Sequence, residues 1–137
     1  MKSMQKMVIV LIALIPLIGE AQQAKYIQFP CPAPTQLQQG TCLQNCSGSG
    51  IPIYGYSGQS SGKDSDGKVV NIPWSGSGPA NASTFQGAGI YGGPPTCGYL
   101  PPDKSGLISI VANLPYRATC SVISTTSLYL FQCSPTN

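Results

Sequence analysis

The chain has no histidine and few ionisable side chains, with seven Lys and Arg against four Asp and Glu in 137 residues. The missing imidazole removes the usual general base at neutral pH, and with it any Ser-His or Cys-His arrangement for nucleophilic catalysis. It also removes the commonest nitrogen ligand for zinc. A structural metal site would then need four cysteines, and the sequence has no pair of C-x-x-C knuckles to supply them. Beyond residue 21 the only carboxylates are Asp64, Asp66 and Asp103, all in turns flanked by glycine or proline, whereas an acid and base pair needs two carboxylates in one water-excluding cleft. The expectation is no enzyme, no cofactor and no metal. The cations Lys25, Lys63, Lys68, Lys104 and Arg117 fall one per segment and are not clustered, which argues against nucleic acid as a partner.

Helical periodicity, heptads and internal repeats are absent, and the one long apolar run lies at the beginning. Lys2 and Lys6 precede Met7 to Ile18, and Gly19-Glu20-Ala21 follows, with small residues at the positions a signal peptidase reads. The run is shorter than the roughly 20 apolar residues of a membrane span, and Pro16 and Glu20 interrupt it. Residues 1–21 are therefore expected to be a signal peptide, leaving residues 22–137 as one small secreted or periplasmic domain with no stable span. Six cysteines in an exported chain of this size read as a disulfide framework.

The remaining residues alternate short strand-like runs with Gly and Pro punctuation. Tyr26 to Phe29 alternates, and Pro30-Cys31-Pro32-Ala33-Pro34 then forms a stiff tether, because proline fixes φ and removes backbone donors. From Ser47 to Gly67 the chain is rich in Ser and Gly. That composition offers little apolar area to offset an ordering entropy of roughly 1–2 kcal/mol per residue, so 47–67 reads as flexible, with Ile51 to Tyr56 as its one better strand candidate. Lys63-Asp64-Ser65-Asp66-Gly67 superficially resembles a calcium loop but lacks the later oxygen ligands, and Asp66-Gly67 reads as a hairpin turn. Further strands are expected over Lys68 to Trp74, 83–91, Cys97 to Leu100, 107–112, Cys120 to Ile123 and Ser127 to Cys133. The fold class that follows is all-β, a small disulfide-bonded antiparallel sheet, sandwich or partly open barrel.

Spacing alone leaves the disulfide connectivity open. Strand adjacency favours Cys120 with Cys133, at the two ends of one hairpin. Cys42 with Cys46 is the shortest loop to close, which leaves Cys31 to fasten the proline-rich tether to Cys97.

Cys31-Pro32 soon after the leader, the single Trp74, Phe85-x-x-Ala88 and Cys97-x-Tyr99 together resemble the pattern of small exported gammaproteobacterial, Legionella-like proteins of unknown function. The resemblance extends over roughly the whole mature chain. It implies a periplasmic or secreted small β protein and adds no catalytic residue.

Two functional readings remain. The first is a non-enzymatic structural or interaction protein, such as an envelope accessory subunit or secreted factor whose edge strands pair with a partner. The second is a carbohydrate- or peptide-binding module in which Trp74, Tyr54, Tyr56, Tyr91 and Tyr99 supply an aromatic surface. Against the second, strand aromatics commonly pack on cross-strand neighbours. Intact mass of the exported protein should show a chain beginning at Gln22 and lighter by six hydrogens than the reduced form. A thiol that alkylates in the unreduced, unfolded chain would contradict full oxidation.

Overall fold

A computed structural model of the protein describes residues 25–136; the leader expected over residues 1–21 lies outside them. Among the described residues there is no α-helix. Nine strands, β1 (Ile27–Phe29), β2 (Leu37–Gln44), β3 (Ile53–Asp64), β4 (Val69–Gly78), β5 (Thr84–Ile90), β6 (Pro95–Leu100), β7 (Ile108–Ala112), β8 (Ala118–Ser124) and β9 (Leu130–Pro135), form one antiparallel sheet. Its order is β5-β6-β7-β4-β3-β1-β9-β8, with β2 branching onto β3. The sheet curls until β5 and β8 approach each other, so that the barrel is nearly closed. Antiparallel all-β and disulfide-bonded is therefore the observed class.

The Ser/Gly-rich stretch departs from expectation. Instead of a flexible segment, Ile53–Asp64 is the longest strand, laddered to β4 from Tyr54↔Gly78 to Lys63↔Val69 and shared on its other side between β2 and β1. Side chains alternate along it, and the inward row runs Tyr56, Gly58, Ser60, Gly62. Composition was misleading because the ordering is supplied by neighbours, not by the strand itself. Small residues are required where large ones face them: a Cβ at Gly62 would lie 2.7 Å from Phe29 Cβ and closer still to the Gln28 carbonyl. Gly76 on β4 has the same role, since a Cβ there would reach within 2.6 Å of Ile110 Cα on β7.

The interior holds Phe29, Ile72, Trp74, Tyr99, Ile108, Ile110 and Phe131, all essentially buried. Phe29 meets Trp74 edge-on at 5.9 Å between ring centroids and Phe131 at 5.9 Å, and Trp74 lies 6.4 Å from Phe131. Such aromatic pairs add about 0.5–1.5 kcal/mol each beyond area burial. Pro73 is tolerated inside β4 because the β7 ladder starts one residue later, at Trp74↔Ala112. The β3–β4 hairpin turns at Ser65 to Lys68 with Gly67 at φ +82°. The final strand starts later than its composition implies, because Ser127 and Tyr129 take positive φ (55° and 60°) in the loop before Leu130.

Three disulfides join Cys31 to Cys97, Cys42 to Cys46 and Cys120 to Cys133, and no cysteine is free among the described residues. These are the pairs that hairpin adjacency, the shortest loop and the remaining two cysteines favour, and Cys97 lies on β6, next to the end of the sheet order. Cys120 and Cys133 are directly opposite in the β8–β9 ladder. Cys31 and Cys97, both fully buried, tie the tether after β1 to a strand that shares no ladder with it. This bridge closes a 66-residue separation and the Cys42–Cys46 bridge one of 4. Chain entropy assigns them about 4 and about 2 kcal/mol respectively. The double substitution Cys31→Ala, Cys97→Ala should accordingly lower the melting temperature more than Cys42→Ala, Cys46→Ala does, by calorimetry under matched conditions. Equal shifts would mean that the buried bridge is not a principal brace of the barrel.

Candidate functional site

The five aromatic residues expected to form a binding surface are not brought together. Trp74 is 1% exposed, and its indole N–H donates to Ser60 Oγ at 2.9 Å inside the barrel. Tyr99 is fully buried and its hydroxyl donates to the Pro32 carbonyl at 2.6 Å, adding a polar tie beside the Cys31–Cys97 bridge. Tyr56, also buried, donates to the Pro79 carbonyl at 2.6 Å. None of these three rings presents a face to a ligand, which corrects the aromatic-surface reading at Trp74, Tyr56 and Tyr99. The physical reason is that the barrel has few other large residues with which to fill its interior. Tyr54 is half-buried at the start of β3. Only Tyr91, just beyond β5, stands out in solvent at 80% exposure.

Two of the three carboxylates, Asp64 and Asp103, are committed to their own turns. Asp64 Oδ1 accepts the backbone N–H groups of Asp66 and Lys68, each at 2.9 Å. Asp103 Oδ1 accepts the Ser105 N–H at 3.1 Å, and hydrogen bonds from the Ser105 side chain and backbone hold its carboxyl below the ordinary range. Among the described residues no three His, Cys, Asp or Glu side chains group as metal ligands do, and no helix is long and apolar enough to cross a membrane.

Two surface features combine shape with chemistry. The first is the outer edge of β2, a strand laddered only to β3. The second is a depression of about 390 Å³ on the outside of β5, β6 and β7, whose lining includes Gln86, Gly87, Tyr91, Thr96, Leu107 and Ser109. Of these residues the sequence singled out only Tyr91 as a site residue. The signal for the rest was the coincidence of glycines on adjacent strands, which becomes visible only once the register is known. A larger hollow of about 670 Å³ at the barrel end is bordered mainly by connecting segments, including Gly92 to Pro94 and Ala112 to Leu114, with Arg117 as its only cation. No family model, curated protein or solved structure matches the chain.

Trp74→Ala should destabilise the fold by about 3–5 kcal/mol, the range for emptying a large aromatic site, whereas Tyr91→Ala should change stability by less than about 0.5 kcal/mol. Denaturant unfolding of both variants checks the pair; a small effect at Trp74 would reverse the assignment of that ring to the core. Burial also raises the Tyr99 phenol above its ordinary value, and raises Tyr56 in the same direction. For both, the stability of the neutral buried form is complete below the unfolded value near pH 10 and is lost as pH climbs from there towards the higher folded value.

Proposed function

We propose that the protein is an exported, non-enzymatic interaction protein, an envelope accessory subunit or secreted factor, which accepts an extended strand from a protein partner along the free edge of β2. The observation that carries this reading is the eight-residue strand Leu37–Gln44, laddered on one side only. Natural sheets blunt open edges with Lys, Pro, inward-pointing charges or bulges; Leu-Gln-Gln-Gly-Thr-Cys-Leu-Gln contains none of those residues, and its register shifts are confined to the part beyond Gln39. An unpaired row of backbone donors and acceptors is what strand addition uses.

The edge is held ready. Gln39 Oε1 accepts the Asn81 N–H at 2.9 Å and lies 3.3 Å from the Tyr56 hydroxyl, fixing β2 to the segment after β4. The Cys42–Cys46 bridge closes the far end, and register shifts around Cys42 bend the strand there. Leu43, 59% exposed, adds an apolar side chain next to the edge. An edge ordered before contact lowers the entropic cost of binding. Export is supported by three disulfides with no free cysteine among the described residues. The non-enzymatic reading is supported by the use of Asp64 and Asp103 in turns.

A photoreactive residue at Gln38 should crosslink one defined partner in the native exported fraction, and one at Val69, which is 68% exposed on β4, should not. Thr41→Lys with Leu43→Lys should abolish the Gln38 product while leaving the melting temperature unchanged. Equal capture from Val69, or a product indifferent to the two lysines, would overturn strand addition at β2.

A further inference from the structure

We infer that the outer face of β5, β6 and β7 is a binding site for a neutral saccharide, with one sugar ring seated between Tyr91 and Leu107 above Gly87. This surface is separate from the β2 edge, and the inference does not depend on strand addition there.

The site follows from register. Gly87 pairs with Gly98 and Gly98 with Ser109, which puts the three in one row across the sheet; Gly89, Thr96 and Val111 form the next row. On most sheet faces such rows are covered by their own side chains. Here the glycines leave the backbone bare, and two apolar side chains fold down onto it from outside the rows. A Cβ at Gly98 would lie 3.1 Å from Leu107 Cδ1, and one at Gly89 would lie 2.7 Å from the Tyr91 hydroxyl. Above Gly87 nothing comes within 4 Å. The result is a slot whose floor is bare at Gly87, with two exposed apolar walls, Tyr91 at 80% and Leu107 at 56% exposure, and the half-buried Tyr129 as a third lining side chain. Its volume of about 390 Å³ is at the small end of the roughly 300–1,000 Å³ range of ligand sites.

The chemistry of the lining selects the occupant. Gln86, Thr96 and Ser109 provide amide and hydroxyl groups around the walls, and no Lys, Arg, Asp or Glu contributes to the slot. A charged ligand would give up hydration without gaining a counter-charge. A pyranose suits both parts, with its C–H face on the tyrosine ring and leucine and its hydroxyls on the polar rim. An extended peptide suits it less, because β6 and β7 are laddered on both sides, so a strand could add only along the outer edge of β5 and not across this face. The register shift between Phe85 and Gly87 makes Gln86 the extra residue of a bulge, a device that re-aims a side chain.

The test titrates the full protein with cellohexaose, maltohexaose and N-acetylchitohexaose, with a galacturonic acid oligomer and an extended apolar peptide as comparators, and follows backbone amide shifts by NMR. At least one neutral oligosaccharide should shift the Gly87, Gly98 and Tyr91 amides saturably. Tyr91→Ala should weaken that binding by about five- to tenfold, the scale of a single aromatic stack, and Gly87→Leu, which fills the slot, should weaken it at least as much. Leu43→Lys on β2 should leave it unchanged, so that failure of the β2 reading is separable from failure of this one. The inference is overturned if none of the three neutral oligosaccharides binds, if Tyr91→Ala binds as the parent does, or if only the galacturonic acid oligomer or the peptide shifts these amides.

Discussion

Four aromatic rings, Phe29, Trp74, Tyr99 and Phe131, lie inside the sheet with no more than 1% of their surface exposed, and the volume they occupy restricts which residues can face them. A small barrel has room for large side chains on some strands only if others contribute almost none. In this protein the stretch of β3 beyond Tyr56 contributes little, with Gly58, Ser60 and Gly62 on its inward row. Ser60 is small enough to fit and polar enough to satisfy the buried indole N–H of Trp74 at 2.9 Å. Among the described residues no buried side-chain nitrogen or oxygen is left without a partner. The weakness of the Ser/Gly strand as an isolated peptide is thus what permits the dense aromatic packing across from it.

The same economy explains the disulfides. A single domain of this size buries a modest core, and exported domains of limited core commonly add covalent ties. Two of the three bridges reinforce local structure, the β8–β9 hairpin and the end of β2. The third, Cys31–Cys97, with the Tyr99 to Pro32 hydrogen bond beside it, joins the tether after β1 to β6 where no ladder does. The proline-rich tether can take that path because it needs few backbone partners of its own. Its stiffness also limits the entropy left to lose when the bridge closes.

The sequence made the fold class legible through β-branched runs such as Ile108 to Ala112, turn pairs such as Asp66-Gly67, and the cysteine count. Much less of the candidate sites could be read. Trp74, Tyr56 and Tyr99 look alike in sequence whether they face solvent or core, because strand alternation gives two faces without saying which is inside. Composition likewise could not place β3, since its order comes from β4, β2 and β1 and not from its own propensity. The branching of β2 onto the first half of β3 and the alignment of Gly87 with Gly98 are consequences of register, which no local pattern encodes here. Tyr91 was visible as an aromatic, yet its significance depends on Leu107 and on bare glycines brought in from other strands.

With the interior filled by its own side chains, both proposed recognition surfaces lie on the outside, at an open strand edge and a glycine-floored face. Both surfaces require that β3 be a rigid member of the sheet, because β2 hangs from it and β4 relays it to β7. Native-state amide hydrogen exchange resolved by residue tests this directly. The backbone amides of Gly58 to Lys63 that lie in the β3 ladders should exchange as slowly as those of Ile72 and Trp74, by whole-molecule unfolding only. Exchange of that segment at the rate of an open Ser/Gly chain, while β4 and β7 remain protected, would contradict it.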